Sequence, residues 1–274
     1  MIVALAGGVG GSKLVLGFSR VLPPDQLSII GNTGDDIALL GLRICPDLDT
    51  LTYTLSGMVN PQTGWGIRED SFACLEAMAK LGAPSWFKLG DQDLATHLWR
   101  TLQLKQGDSL TQVTANLCQS LGVEQNLLPM TDSYVPTYVL TDQGELHLQE
   151  YLVREACRPT IQAFQHPNME KAQPAPGVAE TIMAAQAVFL CPSNPFISIN
   201  PILSVPGLTE LLIDTQARPE PAERIDTHQK TLAMWREHGF TDAMADAVLG
   251  TANADSDYHW PNASQAPKII RLVY

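Results

Sequence analysis

The sequence predicts an α/β protein built on an open parallel sheet, and two observations carry that prediction. The chain opens with an apolar run at residues 2–6, then Gly7-Gly8-Val9-Gly10-Gly11-Ser12-Lys13, then Leu14, Leu16, Phe18, Val21 and Leu22 at helical spacing. A strand that passes through a glycine turn straight into a helix is the opening of a parallel sheet. A second apolar run, residues 27–30, ends in Gly31-Asn32-Thr33-Gly34-Asp35-Asp36. Both polar turns then lie at the carboxyl edge of the sheet, where ligands bind in such folds.

The remaining elements follow from period and punctuation. Residues 48–55 have a helical pattern. Residues 71–81 form a stronger one, with Ser71 as cap and Gly82 and Pro84 as stops. Another helix is expected at 93–104, and a further one runs from the start signals Asp108-Ser109-Leu110-Thr111 to about Leu121. From Tyr134 the period changes. Residues 138–141, the turn Asp142-Gln143-Gly144 and the alternating stretch 145–153 predict an antiparallel hairpin, and about 134–175 an inserted subdomain. Residues 157–176, rich in Pro, Gln and His, read as irregular. Residues 178–186 read as helix, and 187–191 as a buried strand ending in Pro192-Ser193-Asn194-Pro195. Past Ile213 the chain is polar and helical in character, with a segment at 235–240 and loop at 251–267. The expectation is one α/β domain over 1–274, of which 213–274 is a divergent C-terminal part.

Composition narrows the function. The 274 residues are 45% hydrophobic, enough for a sizeable core. With 29 acidic and 17 basic residues the net charge is -12, which repels phosphate backbones and argues against a nucleic-acid partner. An anionic small substrate then needs a local device: backbone amides, placed cations or a metal ion. No signal sequence opens the chain, and no apolar run reaches membrane-spanning length, so a cytoplasmic protein without a membrane partner is expected. The five cysteines, Cys45, Cys74, Cys118, Cys157 and Cys191, have neither metal nor disulfide spacing and read as reduced core thiols.

Three groups of residues carry chemistry. In the first, Gly7, Gly8, Gly10 and Gly11 let backbone amides approach a ligand, the following helix adds its positive end, and Ser12 and Lys13 add a hydroxyl and a cation. It matches neither the P-loop, which needs Gly-Lys-Ser/Thr, nor the dinucleotide fingerprint, which needs glycine where Lys13 stands. The plainer alternative is a tight strand-to-helix turn. The second group is Asp35 and Asp36 with Asp47 and Asp49. Four carboxylates in two short turns either hold a divalent cation such as Mg²⁺ or cap helices, and Asp47 reads most simply as a cap. The third is Lys88 beside Trp86 and Phe87, a cation near a flat wall, followed by Asp91, Asp93 and His97. A lone His97 inside a helix reads as packing rather than ligation. Ser193 and Asn194, after a buried strand, join the same edge, although Pro-Ser-Asn-Pro also makes a good turn anywhere.

In this order the motifs resemble the 2-phospho-L-lactate transferase family. The likeness rests on Gly-Gly-x-Gly-Gly-x-Lys at 7–13, Asn-Thr-Gly-Asp-Asp at 32–36 and Pro-Asp-Leu-Asp-Thr at 46–50. It continues with Gly-Trp-Gly at 64–66, Leu-Gly-Asp-x-Asp-Leu-Ala-Thr-His at 89–97 and Leu-Pro-Met-Thr-Asp at 128–132. Pro-Ser-Asn-Pro at 192–195 and Ser-Ile-x-Pro-Ile-Leu at 198–203 complete it. The resemblance implies a Rossmann-like parallel sheet flanked by helices, with an inserted smaller α+β substructure. It also implies a reaction of coenzyme F-420 biosynthesis. The terminal hydroxyl of the deazaflavin alcohol 7,8-didemethyl-8-hydroxy-5-deazariboflavin attacks the distal phosphorus of a guanosine diphosphate donor. That donor carries lactate or a similar three-carbon acid, so the group transferred is 2-phospholactate, phosphoenolpyruvate or phosphoglycerate, and GMP leaves.

On that resemblance the glycine turn with Ser12 and Lys13 holds the donor phosphates. Asp35, Asp36 and Asp49 place Mg²⁺ and take part in catalysis, and Asp49 and Lys88 face the deazaflavin. Asp91, Ser193 and Asn194 belong to the same ligand site, and a homodimer is implied. Two positions depart from the pattern: Gln92 stands where many relatives have Arg, and after Val205-Pro206-Gly207 the relatives' Val-Ser-Pro-Ile and Gly-Pro-Ala stretches are not found. The rival reading is a non-catalytic nucleotide-sugar-binding regulator or a degenerate family member, which shares the opening motif but needs no deazaflavin contacts.

Overall fold

The computed structural model describes residues 1–215. Its chain order is β1 (Ile2–Ala6), α1 (Gly8–Ser19), β2 (Leu27–Gly31), β3 (Ile37–Leu39), β4 (Leu42–Ile44), α2 (Pro46–Leu55), α3 (Ala73–Lys80), α4 (Asp91–Gln106) and α5 (Leu110–Ser120). Then come β5 (Asn126–Pro129), β6 (Tyr138–Thr141), β7 (Gly144–His147), β8 (Ile161–Gln165), α6 (Val178–Met183), β9 (Ala187–Leu190), α7 (Asn200–Ser204) and α8 (Leu208–Asp214). The expected parallel sheet is present, in the order β5-β2-β1-β9. From β1 the chain passes to β2 on one side, and β9 closes the sheet on the other. The order therefore reverses between β1 and β9. A crevice opens outside the carboxyl ends at such a switch point, and the segments around it are Gly7–Gly8 and Pro192–Ser193.

Each strand buries both faces. Ala4, Ala6, Leu27, Ile29, Leu127 and Phe189 pack under α1, α2 and α5, where Phe18 and Phe189 meet at 5.0 Å between ring centroids. The alternate residues Val3, Leu5, Ile30, Leu128 and Val188 pack on the other face with Val178, Ile182, Ile202 and Leu208. Two-sided burial explains why the strands read as continuous apolar runs.

Several elements depart from expectation. Residues 37–44 form a hairpin whose turn, Leu40-Gly41, takes left-handed φ values of 55° and 76°. β5 was not predicted: two apolar residues before Pro129 give almost no periodic signal, and proline is tolerated because β5 lies at the sheet edge. β7 ends at His147, and Glu150–Arg154 turns into a wide π-helical coil instead of continuing the strand to 153. Part of the segment expected to be irregular is β8, which pairs with β6 across a bulge at Leu140/Thr141. Ser71 does not cap α3; its hydroxyl donates to Asp91 Oδ2 at 2.6 Å. Cys45, Cys118 and Cys191 are core thiols, but Cys74 and Cys157 are exposed. The segments expected at 235–240 and 251–267 lie outside the described residues.

The glycines of the opening motif act chiefly as spacers. A Cβ on Gly10 would collide with the Pro192 carbonyl, and one on Gly11 would come within 2.7 Å of Ser193 Oγ. Gly17, further along α1, has open space around it. Gly10→Ala is therefore expected to destabilise the protein by about 1–3 kcal/mol, whereas Gly17→Ala should stabilise it by about 0.5–1 kcal/mol. Urea unfolding of both variants checks this, and equal effects would remove the spacer role.

Candidate functional site

Strand ends bring the motifs together. Gly7 is extended, Gly8 takes a left-handed φ of 61°, and α1 begins there, so Gly10 to Lys13 lie in the helix rather than in an open loop. The hydroxyl of Ser12 is buried and donates to Val9 O at 3.0 Å; Lys13 is exposed. Ser193 Oγ donates to Gly7 O at 2.7 Å and accepts from Gly7 N at 3.4 Å, which ties the end of β9 to the end of β1. Asn194 caps the coil that follows, accepting from Phe196 N and Ile197 N. The Asp47 carboxylate lies beside the first helical amide, that of Gly8, which helps to hold its proton affinity down.

The acidic turns converge here. Asn32, Asp35, Asp36, Asp47 and Asp49 are all buried. Asn32 Nδ2 donates to Asp47 Oδ2 at 2.8 Å, and Gly34 N donates to Asn32 Oδ1 at 2.8 Å, so one amide joins the two turns. Asp47 is therefore not the expected cap: Cys45 stands at the N-cap of α2, with no side-chain cap hydrogen bond.

Two of the four aspartates have a cation and two have none. Asp36 Oδ2 accepts from Arg43 Nη2 at 2.6 Å, Arg43 Nε at 3.0 Å and the Cys45 thiol at 3.1 Å. Arg43 in turn lies over the Tyr134 ring at 4.1 Å. Asp49 receives both terminal nitrogens of Arg100, the largest fully buried side chain. Burial opposes the Arg100 charge, but Asp49 outweighs it and holds the guanidinium protonated beyond its usual range. Asp35 and Asp47 have no such partner among the described residues. Burial pushes the Asp35 carboxyl well up, and the neighbouring Asp47 and Asp36 charges add to that. Burial raises Asp47 to about 6, with the Asn32 and Gly8 hydrogen bonds holding it back.

Behind Asp49 lies a network that sequence reading treated as packing. His97 Nδ1 is 3.6 Å from Asp49 Oδ2, and His97 Nε2 is 3.3 Å from Asp93 Oδ1. Tyr53 donates to Asp93 at 2.8 Å. Asp93, His97 and Arg100 share one face of α4, and that spacing of polar residues was the available signal. Asp91 caps α3, accepting from Ser71 Oγ, Ala73 N and Cys74 N, which lowers its carboxyl. Lys88 is exposed, and the cation over Trp86 is Arg154, at 5.8 Å.

A divalent cation has two candidate places. Asp49, Asp93 and His97 form the one cluster of three ligand-bearing side chains among the described residues, but Arg100 already brings positive charge there. At the acidic turn, Thr33 Oγ1, Asp35 Oδ1 and Asp36 Oδ1 are buried and receive no hydrogen bond from a described donor. Carboxylate and hydroxyl oxygens without a hydrogen-bond donor are the hard ligands that Mg²⁺ prefers.

Removing one partner of a buried ion pair leaves the other charge stranded. Arg100→Met is therefore expected to cost about 3–5 kcal/mol in urea unfolding, and adding Asp49→Asn should recover a large part of it. A double variant no more stable than the single one would show that Arg100 acts by packing alone.

Comparison with known proteins agrees with this architecture. A protein of the UPF0052 family from Bacillus halodurans has a similar fold, with a TM-score of 0.54 at 19% or 18% identity in two crystal structures; the match covers 79% of this chain and 66% of that one, just under two thirds. A phosphoenolpyruvate transferase from Streptomyces coelicolor is 44% identical over 218 residues, 78% of this chain and 68% of the relative. A 2-phospho-L-lactate transferase from Methanospirillum hungatei is 43% identical over 212 residues, 77% of this chain and 71% of the relative. The model of 2-phospho-L-lactate transferase CofD matches residues 2–220, so the chain belongs to the 2-phospho-L-lactate transferase family.

Proposed function

We propose that this transferase moves a three-carbon phospho-acid group from a guanosine diphosphate donor to the hydroxyl of the deazaflavin alcohol, releasing GMP. The observation that carries this reading is the buried acidic turn beside α1, where Asp35 and Asp47 have no internal cation while Asp36 and Asp49 do. A site of that kind wants positive charge from outside, as Mg²⁺ accompanying an anionic phosphoryl donor would bring it. Phosphoryl-type transfer needs little from the protein beyond positioning and charge neutralisation.

In this reading Asp35 and Asp36, with Thr33, hold Mg²⁺, which when bound neutralises charge on the transferring phosphoryl oxygens. Asp35, buried and without an internal cation, is assigned as the acceptor for the hydroxyl proton. Asp49, committed to Arg100, is assigned to the deazaflavin side with Lys88 rather than to the metal. The backbone around Gly7 and Gly8, with Lys13, faces the donor phosphates; Ser12, Ser193, Asn194 and Asp91 support the scaffold that presents them. The relatives' names span enolpyruvate and lactate at nearly equal identity, so the acid is left open between them. No single helix among the described residues is long and apolar enough to cross a membrane. A cytoplasmic homodimer acting on small molecules is proposed on the family resemblance alone.

Incubation with the deazaflavin alcohol, each candidate guanosine donor and Mg²⁺, followed by mass analysis, tests the reaction. Asp49→Ala or Lys88→Ala should weaken deazaflavin binding roughly 5- to 150-fold, the loss of one desolvated polar contact at ~1–3 kcal/mol. Absence of deazaflavin binding in the wild type would favour a nucleotide-binding regulator, and full turnover in excess chelator would remove the metal.

A pH experiment tests the uncompensated pair. Asp47 keeps its proton in the folded chain up to about 6, against an ordinary 3.8. The folded state thus binds more protons than the unfolded chain between those values, and stability falls as pH rises through about 6. A cation held by the neighbouring Asp35 and Asp36 favours the ionised form of Asp47 and offsets the loss. Mg²⁺ should therefore raise the melting temperature clearly at about pH 7.5 and little at about pH 5. Equal shifts at both would contradict the assignment.

A further inference from the structure

The turn that carries Asp35 and Asp36 is gripped by the segment that forms the small β7-β6-β8 sheet. Three consecutive carbonyls of the turn accept from it. Gly34 O takes the Thr137 amide at 2.6 Å, Asp35 O takes Gln149 Nε2 at 3.3 Å, and Asp36 O takes His147 Nε2 at 3.0 Å. The donors flank one hairpin: Thr137 precedes β6, His147 ends β7 and Gln149 follows it. Leu148 N closes the hairpin on Thr137 O at 2.9 Å, so the donors move as one unit. All three residues are buried. The Gln149 amide donates to His147 Nδ1 at 3.1 Å, which makes Nδ1 the acceptor and leaves the ring proton on Nε2, facing Asp36 O. Gln149 Nε2 also lies 3.4 Å from Asp35 Oδ2, so one side chain holds both the backbone and the carboxylate of Asp35.

The turn itself contributes one backbone bond, Asp36 N to Thr33 O at 3.3 Å. Arg43 and Cys45 hold the Asp36 carboxylate and Asn32 holds Gly34 N, but the backbone of Asp35 and Asp36 and the Asp35 carboxylate depend on the strap. We propose that His147 and Gln149 are positioning residues that set Asp35 and Asp36 for metal and phosphate. The proposal rests on the reading of that turn given under the proposed function. Since a displacement of about 1 Å costs on the order of 100-fold in rate, loosening the strap should be felt in the transfer step.

The test uses the full chain with Gln149→Leu, His147→Leu and His147→Gln, the last of which keeps an N–H donor. Four quantities are measured: Mn²⁺ affinity by paramagnetic titration, KM for donor, KM for deazaflavin, and kcat. The two Leu variants should weaken Mn²⁺ binding and lower kcat roughly 10- to 100-fold, with KM for deazaflavin changed less than about twofold. His147→Gln should recover a large part of both losses. Unchanged Mn²⁺ affinity in the Leu variants, or losses that track melting temperature alone with no recovery in His147→Gln, would overturn the proposal. If the wild type makes no product with any donor, the functional reading fails, and the Mn²⁺ comparison still decides the positioning role.

Discussion

Everything at the carboxyl edge depends on how four buried carboxylates are kept together. Uncompensated, they would repel one another in a space that excludes water, and the fold would not close over them. The chain supplies Arg43 to Asp36 and Arg100 to Asp49, each from an element that packs behind the site rather than inside it. Asp35 and Asp47 stay without a cation, and burial raises the proton affinity of both. Buried salt bridges are weak evidence of stability in general. Here they divide one acidic cluster into a neutralised half that builds structure and an electron-rich half that attracts ligands.

The parallel sheet makes this division geometric. β1, β2 and β9 end at the same edge, so the glycine turn, the acidic turn and the Ser193 loop meet without long connections. Close approach is what the glycines supply: Pro192 and Ser193 occupy the space where side chains at Gly10 and Gly11 would stand. The helix α1 can then pack tightly enough on β1 and β9 for its first amide to reach Asp47.

Much of this was legible in residue order. Continuous apolar runs gave β1, β2 and β9, because two-sided burial leaves no alternation to misread. The motifs at 7–13 and 32–36 were placed at the right edge for the same reason. Short elements were not legible: β5 has too few residues to show a period, and the β3–β4 turn uses Leu40, a residue with no preference for left-handed backbone. The partners of the aspartates were hidden differently. Arg43 and Arg100 lie 7 and 51 positions from the carboxylates they neutralise, and such pairing is decided by packing rather than by local pattern. Residue order therefore left Asp35, Asp36 and Asp49 undistinguished from one another, set Asp47 apart as a cap, and gave no sign of His147 and Gln149.

The contact between Asp47 and the Gly8 amide has a consequence for the order of events. A helix start is attractive to phosphate because its first amides are unsatisfied. Here the chain has placed its own anion on that amide, a resident competitor tethered at effectively constant concentration. A bare phosphate must displace it and gains little from the exchange. On the proposed function, a phosphate arriving with a bound cation would meet the opposite situation, since the cation would compete with the amide for Asp47. The helix start would then favour a metal-loaded over a metal-free nucleotide, with charge neutralised before phosphate is seated.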